Sequence, residues 1–150
     1  MLSAVVSRRI ESGPAVSEPL LTLEIPAVGE YRALRVAAGL SAMSEAAAAH
    51  GLPASWSAVC VRDGAELIGM GRIVGDGGCF FLVVDIAVTP LRQGQGLGKR
   101  IMGALIGQLH ARAPATAMIG LFADGEAYRL YQQFGFRLVA PAAQGMLLRL

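Results

Sequence analysis

The stretch Pro90-Leu91-Arg92-Gln93-Gly94-Gln95-Gly96-Leu97-Gly98-Lys99 follows an apolar run that begins at Cys79 and leads into a helical pattern over Leu97–Arg112. This order predicts a strand, a glycine-rich loop and a helix N-terminus. Glycines at positions 94, 96 and 98 let main-chain N–H groups approach a ligand closely. The helix start adds unpaired donors and about half a positive charge. Such a loop binds an anion, most often a phosphate. Two familiar phosphate motifs do not fit. A P-loop needs glycine where Gln93 stands and Ser or Thr where Arg100 stands, and a dinucleotide fingerprint needs glycine at Lys99 or Ile101.

Composition limits what else the chain can be. Its 150 residues make one domain, long enough to bury about two thirds of the unfolded surface. Net charge is only +2, and no basic face with interleaved aromatics marks a nucleic-acid reader. Cys79–Val84 is the longest strongly apolar stretch and is far too short to span a bilayer. The N-terminus carries Arg8 and Arg9 without an apolar core before a cleavage site, so a cytoplasmic location is expected. Cys60 and Cys79 stand apart inside strand patterns and read as buried free thiols, with no metal cluster. Lys99, the single lysine, lies at the loop beside Arg100, with Arg92 upstream; these three could neutralise a pyrophosphate or simply be solvated.

Along the chain, Met1–Pro19 reads as a loose tail and 20–150 as a single domain. Leu20–Glu24 suits a first strand, and Pro26 the first turn of a helix with Val28, Tyr31, Leu34 and Ala38 at helical spacing. A second helix is expected over Ala42–His50, capped by Ser41. Ser57–Val61 and Glu66–Val74 read as strands joined at Asp63-Gly64. The Gly75-Asp76-Gly77-Gly78 turn then leads to a long strand, Cys79–Val88. After the helix from Leu97, Met118–Phe122 is a fifth strand and Glu126–Phe134 a helix closed by Gly135. Phe136–Val139 and Met146–Leu150 make a final strand pair. Asp124 reads as the cap of the helix after the fifth strand, and His50 as a helix-end residue.

The loop resembles the acyl-CoA loop of the GNAT superfamily of N-acyltransferases, whose Gln/Arg-x-x-Gly-x-Gly/Ala pattern is met by Gln93, Gly96 and Gly98. Asp85-Ile86-Ala87-Val88 lies where that superfamily ends its fourth strand, and Leu130–Phe136 resembles its Phe-Tyr-x-x-x-Gly-Phe segment. The resemblance runs from about Glu66 to the C-terminus. It implies an α/β fold: a mixed, largely antiparallel sheet with helices on both faces, splayed between strands four and five. It implies acetyl-CoA as cofactor, bound by the Ile86, Ala87 and Val88 backbone and by Gln93, Gly94, Gln95, Gly96, Leu97, Gly98 and Lys99. The Ile86 N–H would meet the acyl oxygen, and Tyr131 would protonate the leaving thiolate. Plain strand core, and an aromatic packed on the sheet, are the ordinary readings of the same residues.

The base departs from the family pattern. Serotonin-type relatives carry histidines, and others a glutamate, where this chain has Leu82 and Val84. Asp85 is the nearest carboxylate, although strand alternation turns it away unless a bulge re-aims it. The cofactor segment is also similar to glucosamine-phosphate N-acetyltransferases. Val84 and Phe122 stand where those enzymes have carboxylates, which makes an amino-sugar phosphate a poor acceptor. The expected acceptor is a small-molecule primary amine, hydrophobic or aromatic, near Tyr31, Met43 and Trp56. Acetyl transfer would proceed by direct attack in a ternary complex. A non-catalytic acyl-CoA-binding module, or acetylation of a protein N-terminus or lysine, are the alternatives. The high apolar content suggests a homodimer face.

Overall fold

The computed structural model describes residues 18–150; most of the expected tail lies outside them. One five-stranded sheet runs in the order β1 (Leu20–Thr22), β2 (Ser57–Asp63), β3 (Glu66–Gly75), β4 (Phe80–Val88) and β5 (Met118–Leu121). Strands β1 to β4 are antiparallel neighbours, while β5 lies parallel to β4. That parallel pair requires a crossover, which helix α3 (Leu97–Arg112) supplies. The sheet and its helices have the mixed, largely antiparallel form that the sequence implies.

Alternation along β2 assigns the two faces. Val59 and Val61 join Ile73, Phe81 and Val83 under Ile101, Met102, Leu105 and Leu109 of α3. Cys60, one residue out of phase, joins Met70 and Ala87 under Tyr31 and Leu34 of α1 (Val28–Ala37) and Ala48 of α2 (Glu45–Gly51). Ile101, Met102 and Leu105 are completely buried, each contributing about 1.5–3 kcal/mol by leaving water. No helix of the described residues is long and apolar enough to cross a membrane.

Several element ends differ from the sequence reading, for local reasons. Helix α2 starts later than expected because Ser44, not Ser41, accepts the Ala47 N–H at 3.1 Å; the Ser41 carbonyl is held by Arg35 Nε at 2.8 Å. Helix α1 leaves Pro26 outside because Glu30 reaches back to the Ala27 N–H at 2.9 Å. Cys79 is exposed, not buried, since β4 begins after it. Asp124 makes no side-chain cap on the short helix α4 (Tyr128–Gln132); its main-chain carbonyl accepts from the Ala127 N–H instead.

The final strand pair is absent. Residues 136–150 enter no ladder, and Leu138, Val139, Met146, Leu147, Leu148 and Leu150 stay exposed. Apolar content marks a strand only where a sheet edge accepts it. Here a groove of about 980 Å³ lies open between α3, β5 and residues 134–143.

Candidate active site

The site begins where β4 loses a neighbour. Pairing with β5 runs from Phe80–Met118 to Val83–Leu121 and stops, while β4 continues through Val88. Peptide groups of a strand alternate in direction, so part of the backbone of Val84–Val88 faces an unpaired gap. This opening is the splay that the resemblance implies.

On the other side of β4 the ladder with β3 slips. Met70 pairs with Ala87 and Arg72 with Val84, so Gly71 alone faces Asp85 and Ile86. This is a β-bulge, and Asp85 takes φ +58°, a left-handed conformation that Asp tolerates better than most residues. Phe81 and Val83 point to the α3 core, and strict alternation would send Asp85 after them. The bulge turns it to the α1 face, where it meets Tyr31 and Arg35.

There Asp85 joins a network that the sequence reading missed. One carboxylate oxygen accepts from Arg35 Nη1. The other accepts from Arg72 Nε at 2.6 Å and from the Tyr31 hydroxyl at 3.1 Å. The side chains of Asp85, Arg35 and Arg72 are 6%, 7% and 11% exposed. Burial pushes the Tyr31 hydroxyl above the usual tyrosine range, and the Asp85 charge adds to the rise. A lone charge at the centre of each apolar run, Arg72 in β3 and Asp85 in β4, was the available sequence signal. Tyr31 and Met43 line a small cleft of about 110 Å³ with Arg72. Trp56 does not join them: it packs edge-on against Phe81 on the α3 face, with ring centroids 4.8 Å apart.

After Val88 the chain makes one 3-10 turn, Pro90–Arg92, and enters the glycine loop. Gln93 Nε2 donates to the Val88 carbonyl at 3.0 Å, tying the loop to the end of β4. Gly94 and Gly96 have φ +76° and +79°, and a Cβ on either would meet nothing within 4 Å. Gly96 precedes the first helical residue and supplies no side-chain cap, so the first N–H groups of α3 keep their capacity to donate. That open cradle at the positive end of a 16-residue helix fits a pyrophosphate. Gly98 has another part: it is helical, and Leu130 lies 3.5 Å from where its Cβ would stand. Of the three basic residues nearby, Arg92 pairs with Asp63 at 3.1 Å and Arg100 donates to the Pro19 carbonyl at 3.0 Å. Lys99 makes no ion pair among the described residues.

The Leu130 contact sets α4 against the start of α3, one residue from Tyr131. Tyr131 is 8% exposed, with its ring edge-on to Phe136 at 6.5 Å. Burial, then the charge of Asp124, pushes its hydroxyl above the usual range. No hydrogen bond from a described residue reaches that hydroxyl. The structure thus sets the glycine loop and α4 on the α3 side of the sheet beside the open end of β4, and turns the Asp85 side chain to the α1 side.

A sheet opened beside its parallel strand, with an anion cradle at the following helix, defines the architecture of the GNAT acetyltransferases. The family model described as "Acetyltransferase (GNAT) domain" matches residues 55–138, and the chain belongs to this family. It is similar to a probable acetyltransferase from meticillin-resistant Staphylococcus aureus, with 38% identity and a TM-score of 0.85 over 89% of this chain and all of that one. It is also similar to GCN5-related N-acetyltransferase 2, chloroplastic, from Arabidopsis thaliana. That identity is 37% over 81 residues, 54% of this chain and 31% of that protein; the chain spans about a third of the length of such curated relatives. A GNAT family protein from Escherichia coli solved with CoA shares the fold. It is 24% identical, with a TM-score of 0.64 over 87% of this chain and 74% of that one.

Proposed function

We propose that this chain moves an acetyl group from acetyl-CoA to a primary amine by direct attack in a ternary complex. The observation that carries the reading is the unpaired end of β4 followed, after one 3-10 turn, by the uncapped glycine loop of α3. In this reading the Gln93–Lys99 backbone holds the pyrophosphate and the Ala87 and Val88 backbone meets the pantetheine arm. The Ile86 N–H donates to the acetyl oxygen, stabilising the charge that grows there as the amine attacks. The amine lone pair forms the new C–N bond, the nitrogen loses its surplus proton to water as the C–S bond breaks, and Tyr131 gives its proton to the departing sulfur before regaining one from solvent. A tyrosine hydroxyl is protonated at neutral pH, as this part requires, and the Leu130 contact with Gly98 holds Tyr131 near the start of α3.

Asp85 was the leading base by sequence. With both its oxygens engaged by Arg35, Arg72 and Tyr31, we assign it a positioning part at the bulge and leave the amine proton to water. Neutralising an amine of pKa near 10 at pH 7 costs about 4 kcal/mol, a cost added to the barrier when water removes that proton in a separate step before attack. The test is acetyl-CoA turnover, followed by free thiol release, over amines, amino acids, amino sugars and peptides. Saturable thiol release with one class supports the reading. Tight acetyl-CoA binding with no release for any acceptor favours the binding-module alternative.

A further inference from the structure

The network around Asp85 is unbalanced. Two guanidiniums, Arg35 and Arg72, face one carboxylate. A third, Arg149, donates to Ser41 Oγ at 3.2 Å, the hydroxyl that Arg35 Nη2 also reaches. Each of the three guanidinium nitrogens of Arg35 has a partner: Nε and Nη2 go to Ser41 and Nη1 to Asp85. Arg72 differs. Its Nε is held by Asp85 and its Nη1 by Ser55 Oγ at 2.8 Å, but no described residue accepts from Nη2. Nη2 is not among the buried side-chain atoms lacking a partner, and Arg72 lines the cleft with Tyr31, Met43 and Leu52. The cleft, about 110 Å³, has room for several water-sized groups at about 10–15 Å³ each. Arg72 is the one charged residue that lines it, and the planar edge of a guanidinium matches a carboxylate. Through Asp85 the same arginine is joined to the residue directly before Ile86.

We propose that the acceptor amine carries a carboxylate and that Arg72 receives it in this cleft, which makes Arg72 the residue that selects an amino acid over a neutral amine. The proposal rests on the acetyl-transfer reading and narrows its acceptor. Asp85 and Ser55 hold the guanidinium in one orientation, leaving Nη2 for the ligand.

The test compares each of several amino acids, among them alanine and phenylalanine, with its own carboxamide. The amide keeps the size and removes the charge. Its amine is also less basic, so a preference for the acid runs against intrinsic reactivity. Wild-type kcat/KM should favour the acids by about 10-fold or more, the effect of a charged partner withdrawn from a partly desolvated site. Arg72→Gln should bring the ratio within about two-fold of one, and Arg72→Lys should keep part of it. Equal rates for acid and amide in a wild-type protein that does transfer acetyl groups would overturn the inference and leave the function standing. If no amine is acetylated, or Arg72→Gln does not fold, the Arg72 Nε–H resonance of the wild-type protein decides. A saturable shift with alanine and none with alaninamide supports the proposal, and identical responses overturn it.

Discussion

Gly71→Ala is the substitution whose outcome the bulge determines most sharply. A Cβ built at Gly71 would lie 2.6 Å from Ile86 Cδ1, 2.7 Å from Ile101 Cγ2 and 2.9 Å from Leu105 Cδ1. Each is closer than carbon atoms approach without movement. Ile86 and Leu105 can turn their terminal methyls, but Ile101 Cγ2 branches at its own Cβ in a completely buried side chain. Three neighbours on two elements must yield together, which puts the overpacking cost at about 2–3 kcal/mol, the upper part of the usual range. Removing a glycine from the unfolded chain returns about 0.4–1 kcal/mol. The net loss is therefore about 1–2.6 kcal/mol, or about 2–10 °C in Tm for a chain of this size. Gly107→Ala supplies the opposite sign. That glycine lies inside α3 with nothing within 4 Å of its Cβ position, and the change should stabilise by about 0.5–1 kcal/mol. Thermal melts by circular dichroism measure both. Because Ile86 is the neighbour displaced, Gly71→Ala should also lower kcat more than it weakens acetyl-CoA binding. A Gly71→Ala protein as stable as the parent, or more so, would refute the packing described at the bulge.

Gly96→Asp should fold, since its Cβ meets open space and Asp tolerates φ +79°, yet lose acetyl-CoA binding by calorimetry; Gly96→Asn, neutral and of the same shape, should retain far more of it. Tyr131→Phe should leave acetyl-CoA binding intact and slow turnover by about 10²- to 10⁴-fold, and a rate within two-fold of the parent would give the proton to another donor. Asp85→Asn leaves two buried guanidiniums without their carboxylate and should cost about 3–5 kcal/mol in urea unfolding, while the dependence of kcat/KM on pH keeps following the amine's own ionisation; an inflection that this variant removes would make Asp85 the base. Burial pushes the Cys60 thiol from 9.0 up to about 12. The folded state therefore holds its proton where the unfolded state releases it. This stability is complete below pH 9 and is lost as pH rises toward 12, by up to about 1.4 kcal/mol per pH unit. Cys60→Ala should make the fall in urea stability above pH 9 visibly shallower.

What could be read in the sequence was whatever is decided within a few residues. Helix α3 has the bounds that its pattern gave, Leu97–Arg112, because a left-handed Gly96 starts it and Pro114 stands just past its end. The Asp63-Gly64 turn joins β2 to β3 as expected, with Gly64 at φ +58°. Asp76 closes the next turn by accepting from the N–H groups of Gly78, Cys79 and Phe80. The features that escaped depend on partners far along the chain. Arg35 and Arg72 meet Asp85 across 50 and 13 residues, and no local pattern assigns such a trio. The C-terminal residues carry strand-like apolar runs, but a strand exists only through its ladder, and no edge receives them.

The bulge links these two kinds of information. One extra residue in β4 has three consequences at once. It turns Asp85 out of the α3 core into the charged network, and it sets Ile86 over Gly71. It also lies just past the point at which β4 and β5 stop pairing. An unbulged strand would drive a carboxylate into a layer of Phe81, Val83 and Ile101 with no cation to meet it, at a cost of several kcal/mol. The Asp85 ion pairs therefore stabilise the register that frees the β4 backbone. The lone acid in an otherwise apolar strand is tied to the opening in the sheet through that register.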